Sequence, residues 1–216
     1  MIFPLNYSKK GLAILISRSF LLVLIPMATF GQKNWEISKK KDGIEVYTKD
    51  APGWPIKAYL ARGMIEKPFA DVVKYMYAID RRKEWVADCT VSDVINKKGN
   101  EEFIVHFVID TPWPTQDRDM VVKIIVDKTT EKDAVFFRFI SMPNYIPKKE
   151  EYIRIQKAIG YWKVRKVNET RTEISSEGKS TTGGDIPTWV SNLFVTDNPF
   201  QSIKNIREIL EAPESE

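Results

Sequence analysis

Apolar residues recur at helical spacing in a segment that begins just after Pro68. The apolar positions are Phe69, Val72, Val73, Met76 and Ile79. Polar residues such as Asp71 and Lys74 lie between them, so one face of the segment is apolar and the other polar. This spacing predicts an amphipathic helix that proline opens, since proline has no N–H to leave unpaired in the first turn.

Most of the remaining chain shows the short alternating or continuous apolar runs that are typical of β-strands. The predicted strands are residues 44–48, 58–64, 90–96, 102–109, 120–126, 134–140, 152–167 and 172–180. Turn-forming residues lie between them, such as the Asp42-Gly43 pair before the first strand and the Gly99-Asn100 pair before the fourth. These short connections predict consecutive antiparallel hairpins.

The segment from Gly183 to Leu210 predicts a long second helix with one apolar face. We expect Asp185 to be its N-cap and Pro187 to lie in its first turn. Pro199 interrupts the pattern and predicts a kink or a break. The apolar face consists of Trp189, Leu193, Phe200, Ile203, Ile206 and Leu210.

The order of these elements, with strands, one helix, many strands and a final long helix, predicts an α+β domain. Its expected architecture is a curved antiparallel sheet wrapped around the C-terminal helix. The segments 103–109 and 135–140 are apolar on both faces, although a sheet with one dry face alternates more cleanly. Either both faces are covered by the protein, or the inner face borders an apolar cavity.

The first 31 residues resemble a secretory signal peptide. They contain basic residues but no acidic ones, and the run 20–25 is apolar. We expect cleavage after Gly31 and a secreted or periplasmic domain of residues 32–216. An uncleaved anchor is the alternative, but Arg18 in the middle of the apolar stretch disfavours it.

Composition excludes several classes of protein. The chain has 33 basic and 29 acidic residues, but removing Lys9, Lys10 and Arg18 with the leader leaves a net charge near +1. The pI of about 8.9 is therefore no argument for nucleic acid as a partner. The single cysteine, Cys89, cannot form an internal disulfide, and we interpret it as a small core residue.

A set of local motifs in the chain resembles the START domain, a family of lipid-binding proteins. The motifs are Arg82-Lys83-Glu84-Trp85, Phe103-Ile-Val-His106, Arg118-Asp119, Ile153-Arg154 with Gly160-Tyr161-Trp162, and Gly183-Gly-Asp-Ile-Pro-Thr-Trp189. Their order and spacing cover residues 35–210. The resemblance implies a helix-grip fold whose sheet and C-terminal helix enclose a tunnel for one hydrophobic molecule, so it favours the cavity over the covered sheet.

The resemblance also implies a set of lipid-binding residues. Arg118 and Arg154 match positions that are often basic in the family, although pairing with Asp119 and Glu151 is an equally good interpretation of them. We expect the tunnel to be lined by Phe107, Trp189, Leu193 and Phe200. In sterol-binding members a charged pair lies at the positions that match Phe107 and Ile124, and both are apolar here, which disfavours a sterol and favours an acyl chain.

Two other classes of function remain as alternatives. An enzyme of the wider superfamily would use the same cavity, but the only histidine is His106 and the sequence has no catalytic triad, phosphate loop or metal-ligand spacing. A membrane-surface module would use the loop 142–149 or Trp113, which combine aromatic, apolar and basic residues. We therefore predict a non-catalytic, monomeric lipid carrier without cofactor or metal, and with transient membrane contact.

Overall fold

One large antiparallel sheet dominates the structure. The computed structural model describes residues 35–184 and 186–213. The predicted leader, its cleavage after Gly31 and the predicted N-cap Asp185 lie outside these residues. The strands are β1 (Glu36–Lys41), β2 (Ile44–Lys49), β3 (Ala58–Ile65), β4 (Cys89–Lys98), β5 (Glu102–Ile109), β6 (Arg118–Asp127), β7 (Ala134–Ser141), β8 (Ile153–Arg154), β9 (Ala158–Lys166) and β10 (Thr172–Ser180).

The order of the strands across the sheet is β1-β2-β3-β10-β9-β7-β6-β5-β4, with every neighbouring pair antiparallel. The short β8 pairs in parallel with the start of β6. The predicted hairpins are thus joined into one curved sheet by pairing between β3 and β10. The predicted α+β class and sheet-and-helix architecture are confirmed.

Two strand predictions differ from the structure. The segment 152–167 is divided into β8 and β9, and the three residues between them, Ile155, Gln156 and Lys157, belong to neither. The edge strand β1 was not predicted, because five of its six residues are exposed and its sequence carries no apolar alternation. Asp42 and Gly43 join it to β2, and both have positive φ, as tight hairpin turns require.

The first predicted helix is α1 (Phe69–Met76), followed by a 3₁₀ turn (Ile79–Glu84). The C-terminal helical segment has three consecutive parts: α2 (Thr188–Asn192), a π turn (Leu193–Asp197) and α3 (Asn198–Glu211). Pro199 lies in the first turn of α3. A proline ring clashes with the carbonyl four residues earlier in a regular helix, and the wider π turn occupies that place. The predicted break is therefore a π turn within one continuous helical segment.

Packing of α3 against the concave face of the sheet forms the main core. Ile203 and Ile206 are fully buried there with Ile44 of β2 and Ala61 of β3. Glycine at position 63 allows the close approach, because a Cβ there would lie 2.8 Å from Cγ2 of Ile203 and 3.2 Å from Cγ1 of Ile44. The helix is thus held over the β2–β3 side of the sheet.

We predict that Ile203→Ala lowers the free energy of unfolding by about 2–5 kcal/mol, because it leaves a cavity between helix and sheet. Ile209→Ala is the matched control on α3, since Ile209 is exposed, and we expect a change within about 1 kcal/mol. Urea unfolding monitored by circular dichroism measures both. Equal effects of the two variants would contradict the packing described here.

Candidate functional site

An apolar cavity lies between the concave face of the sheet and the C-terminal helical segment. Its volume is about 140 Å³. The sheet contributes large apolar side chains, including Phe107 of β5, Ile124 of β6, Phe139 of β7 and Trp162 of β9. Phe194 of the π turn and Pro199 and Ser202 of α3 form the opposite wall. Cavities that hold drug-sized ligands usually measure about 300–1,000 Å³, so a lipid must enlarge this one to enter.

Arg82 is a buried cation that borders this apolar cavity. It lies in the 3₁₀ turn and only 4% of its surface is exposed. Its Nε and Nη2 atoms are buried without a hydrogen-bond acceptor within the described part of the chain, and the indole Nε1 of Trp85 is in the same condition. Because buried donors are nearly always paired in folded proteins, these three unpaired donors require an explanation.

The surroundings of Arg82 compensate its charge only in part. Its guanidinium carbon lies 5.6 Å from the ring centroid of Trp85 and 5.8 Å from that of Phe137, within the range of cation–π attraction. Burial lowers the pKa of Arg82 to about 10, so the side chain stays cationic at neutral pH. The cavity lining among the described residues includes Lys179 but no acidic side chain. The site is therefore a largely apolar cavity with an unpaired positive charge, which suits a ligand with an acidic oxygen.

The predicted Arg154 is fully paired and does not line the cavity. It forms two hydrogen bonds of 2.8 Å with the Asp119 carboxylate and also donates to the carbonyls of Pro143, Ile146 and Pro147. His106 Nε2 lies 3.0 Å from the same carboxylate. Burial alone would raise the pKa of Asp119, but hydrogen bonds and charge from Arg154 and His106 outweigh it and lower that pKa. Arg154 is therefore a structural residue paired with a carboxylate, as the alternative interpretation of the sequence proposed, and its partner is Asp119.

Arg118 is likewise buried outside the cavity lining. Its Nη1 donates to Thr111 Oγ1 at 3.1 Å and to the carbonyl of Gln116. Both acceptors belong to the β5–β6 loop, residues 110–117. The side chain thus holds this loop in place from within, although its Nε is buried without an acceptor in the described part of the chain. Burial lowers the pKa of Arg118.

Of the four predicted apolar residues, only Phe107 lines the cavity. Trp189 is 46% exposed, Leu193 is half-buried and Phe200 is buried in the core, where Lys39 Nζ lies 4.4 Å from its ring centroid. The π turn explains the difference, because an α-helix rotates by about 100° per residue and the extra residue of a π turn shifts the phase. Val190 and Val195 are buried instead, and Phe194 reaches the cavity.

The sequence contained only a weak signal for Arg82. It lies in a run of three basic residues, Arg81 to Lys83, before Trp85, and such runs are usually solvated. In the structure Arg81 is half-exposed and pairs with Glu84, whereas Arg82 points inward. The two neighbours lie in the same 3₁₀ turn, and the packing of that turn against the sheet places only Arg82 at the cavity.

Two exposed tryptophans lie on segments that continue from the cavity wall. Trp113 is 91% exposed in the β5–β6 loop, which follows directly from the cavity residue Ile109. Trp189 lies on α2, one turn before Phe194. By contrast, Tyr145 of the loop 142–149 does not line the cavity. Its hydroxyl accepts a hydrogen bond from Asn96.

Within the described ranges, no group of three or more metal-binding side chains occurs, and no helix is long and apolar enough to cross a bilayer. His106, the single histidine of the sequence, pairs with Asp119 and is absent from the cavity lining. The arrangement thus defines a class of protein: an α+β domain whose sheet and C-terminal helix enclose a small apolar cavity.

Comparison with known proteins agrees with this class. The model of the START domain matches residues 16–215, and the chain belongs to the START domain family. A sequence relative, an uncharacterized protein of Pseudomonas aeruginosa, is 28% identical over 197 residues, which cover 88% of this chain and 96% of that protein. Bovine (Bos taurus) phosphatidylcholine transfer protein is 26% identical over 172 residues, 73% of this chain and 75% of that protein.

Solved structures show the same fold. The crystal structure of a STAR-related lipid transfer protein from Xanthomonas axonopodis has a TM-score of 0.73 and 26% identity, and the match covers 82% of this chain and 99% of that one. Human StAR-related lipid transfer protein 5 has a TM-score of 0.70 at 14% identity, with 83% and 87% covered. The helix-grip fold implied by the sequence motifs is confirmed.

We predict that Asp119→Ala lowers the free energy of unfolding by about 3–5 kcal/mol, because it leaves Arg154 buried and unpaired. Glu102→Ala removes a half-exposed ion pair with Lys123 and is the control, with an expected change of at most about 1 kcal/mol. Since the folded-state pKa of Asp119 is lowered, its stabilising contribution is fully present above the ordinary carboxyl pKa and is lost as the pH falls through the lowered pKa of the folded state. Urea unfolding of wild type and Asp119→Ala at neutral and acidic pH measures this, and a difference that persists at low pH would contradict it.

Proposed function

We propose that this protein binds a lipid in the cavity and carries it between membranes without chemical change, with an acidic oxygen of the lipid paired to Arg82. The observation that carries the proposal is the set of unpaired buried donors of Arg82 at a largely apolar cavity whose lining, among the described residues, has no acidic side chain. An oxyanion there would accept the hydrogen bonds of Arg82 and neutralise its charge. The family membership and the names of two relatives, a phosphatidylcholine transfer protein and a STAR-related lipid transfer protein, support it.

The energetics favour a carrier that binds by burial. Each methylene moved from water into an apolar site stabilises the complex by about 0.8 kcal/mol. Hydrogen bonds between Arg82 and an oxyanion would add about 1.5–3 kcal/mol. Part of this is offset by the free energy needed to open the cavity and order the ligand. Binding of a long acyl chain thus needs no catalytic group.

The chemistry of the cavity disfavours a sterol. Phe107 and Ile124, which match the charged pair of sterol-binding members, both line the cavity as apolar side chains. A sterol offers one neutral hydroxyl to Arg82, whereas a fatty acid offers a carboxylate and a phospholipid a phosphate. Carboxylate and phosphate present the same acceptor chemistry to a guanidinium, and experiment must separate them.

Lipid exchange also requires contact with a membrane. We propose that Trp113 and Trp189 make this contact, because their rings suit the water–lipid boundary and both lie on segments continuous with the cavity wall. The predicted leader supports a site of action outside the cytoplasm. In this proposal the domain is a soluble monomer between encounters.

We predict that Arg82→Met weakens binding of parinaric acid, a fluorescent fatty acid, by about ten- to a hundredfold, because the carboxylate loses its cationic partner. The same variant should unfold at equal or higher urea concentration than wild type without lipid, since it removes an uncompensated buried charge. Arg81→Met is the matched control, because Arg81 is the exposed neighbour in the same turn, and it should bind like wild type.

Two further probes show whether the charge of the ligand and the type of its acidic group matter for binding. Parinaric acid methyl ester lacks the charge and should bind wild type and Arg82→Met alike, and pyrene-labelled phosphatidylcholine reports whether a phosphate replaces the carboxylate. Lipid extracted from protein purified without detergent and analysed by mass spectrometry identifies the natural ligand. The proposed function fails if no lipid co-purifies and neither probe binds. A role for Arg82 in folding alone would show as lower stability of Arg82→Met with unchanged binding.

For the membrane contact we predict that Trp113→Ala reduces co-sedimentation with phosphatidylcholine–phosphatidylglycerol vesicles by about tenfold, because the vesicle surface no longer buries the indole ring. Binding of parinaric acid in the absence of vesicles should stay unchanged. Tyr145→Ala is the comparison, since Tyr145 belongs to the other loop considered for this role. A larger loss in Tyr145→Ala than in Trp113→Ala would assign the contact to the loop 142–149 instead.

A further inference from the structure

Two glycines face each other in the sheet beside the cavity. Gly160 of β9 and Gly178 of β10 are direct partners in the antiparallel register. Neither has a positive φ, so their backbone conformation does not require glycine. Glycine weakens the interior of a strand, and it often marks a place where another group approaches closely. We therefore attribute the glycines at positions 160 and 178 to the lack of space for a Cβ atom there.

Gly160 is required by the sheet itself. A Cβ at this position would collide with the carbonyl oxygen of Glu177 and would lie 2.7 Å from Cζ of Phe139 and 2.8 Å from the Cα of Gly178. Two of these neighbours are backbone atoms of β10, which cannot move aside without disturbing the pairing of β9 and β10. Gly160 is thus explained by the close approach of its neighbours, among them the ring of the cavity residue Phe139.

Gly178 has a different neighbour. The three atoms nearest to a Cβ at this position all belong to the side chain of Tyr59, with Oη at 3.0 Å and Cε1 and Cζ at 3.1 Å. Tyr59 lies directly opposite Gly178 on β3, and both residues line the cavity. The tyrosine ring therefore occupies the space that the missing side chain of Gly178 leaves open.

The ring of Tyr59 is held there by a weak polar contact. Its hydroxyl lies 3.2 Å from Oγ of Ser176, the next residue of β10 on the same face. Burial raises the pKa of Tyr59, so the hydroxyl stays neutral. Rotation about χ1 would move the ring to another staggered position and break only this one hydrogen bond. Because Gly178 has no side chain, nothing of its own would refill the vacated space.

We propose that the Tyr59 ring over Gly178 sets the length of acyl chain that the cavity accepts. In its present position the ring closes one side of a cavity of about 140 Å³, which is small for a lipid. Displacement of the ring opens this side over the glycine pair and admits more of the chain. This inference rests on the proposed function, because it concerns the specificity of the same cavity.

The test measures affinities of dodecanoate, palmitate and arachidate by their displacement of parinaric acid. Each further buried methylene raises affinity about fourfold, so Tyr59→Ala should favour arachidate over dodecanoate by about tenfold or more relative to wild type. Gly178→Ala adds a methyl group against the ring and should shift this ratio about tenfold toward dodecanoate. The double variant Tyr59→Ala/Gly178→Ala should reverse most of the shift toward dodecanoate that Gly178→Ala causes, because the two side chains no longer collide.

Two further variants test whether the effect comes from the ring itself, from its hydroxyl group or from any ring in this part of the sheet. Tyr59→Phe keeps the ring and loses the hydrogen bond to Ser176, and Tyr47→Ala removes a ring from the opposite face of the adjacent strand β2. Tyr59→Phe should shift the ratio toward arachidate by less than Tyr59→Ala, because the ring remains but moves aside more easily without its hydrogen bond. Tyr47→Ala should keep the wild-type ratio within about twofold. Tyr59→Trp, with a larger ring, should shift it toward dodecanoate even if Gly178→Ala does not fold.

Three results would overturn the inference. The first is a wild-type ratio in Tyr59→Ala, and the second is an equal shift in Tyr59→Phe, which would assign the effect to the hydroxyl. The third is a strictly additive double variant, because the proposed contact requires coupling between the two positions. Failure of every fatty acid to bind wild type would overturn the proposed function together with this inference, whereas binding with an unchanged ratio would overturn the inference alone.

Discussion

Packing of the C-terminal helix on the concave face of the sheet is the interaction on which the rest of the structure depends. The helix α3 is narrower than the sheet and covers mainly β2 and β3, where Gly63 allows Ile203 to approach closely. The concave side chains of β5, β6 and β7 extend beyond its reach. Their apolar surface must be covered by something other than α3 alone, and the cavity lies in the space that remains.

Two of the three buried arginines in the described residues, Arg82 and Arg154, show how the position of a carboxylate decides whether a buried charge is paired. Arg154 meets Asp119 and three carbonyls, so its charge and donors are satisfied and it fixes the loop 142–149 to the sheet. Arg82 meets two aromatic rings and keeps unpaired donors. A folded protein that retains an unpaired buried charge sacrifices stability, and this cost is the physical basis for proposing Arg82 as the partner of an acidic ligand.

Local signals predicted most of the fold correctly. Apolar periodicity located α1 and seven strands close to their observed bounds, because these segments bury one or both faces and therefore carry a strong pattern. The exposed edge strand β1 has no such pattern and was missed. The division between β8 and β9 was also missed, because both short runs look strand-like and only the sheet decides where their pairing stops.

The candidate site was less predictable than the fold. Phe107 lies on a strand that a family motif marked, whereas Trp189, Leu193 and Phe200 were assigned to the cavity from regular α-helical spacing, and the kink predicted at Pro199 carried no change of phase. The π turn before Pro199 changed the phase of that helix and brought Phe194 inward. The sequence by itself determined the order of most strands and helices, and together with the family resemblance it predicted an apolar cavity without a charged pair at Phe107 and Ile124. Only the tertiary structure decided which basic residue of the Arg81–Lys83 run faces the cavity and which ring covers Gly178, because both depend on contacts between residues far apart in the chain.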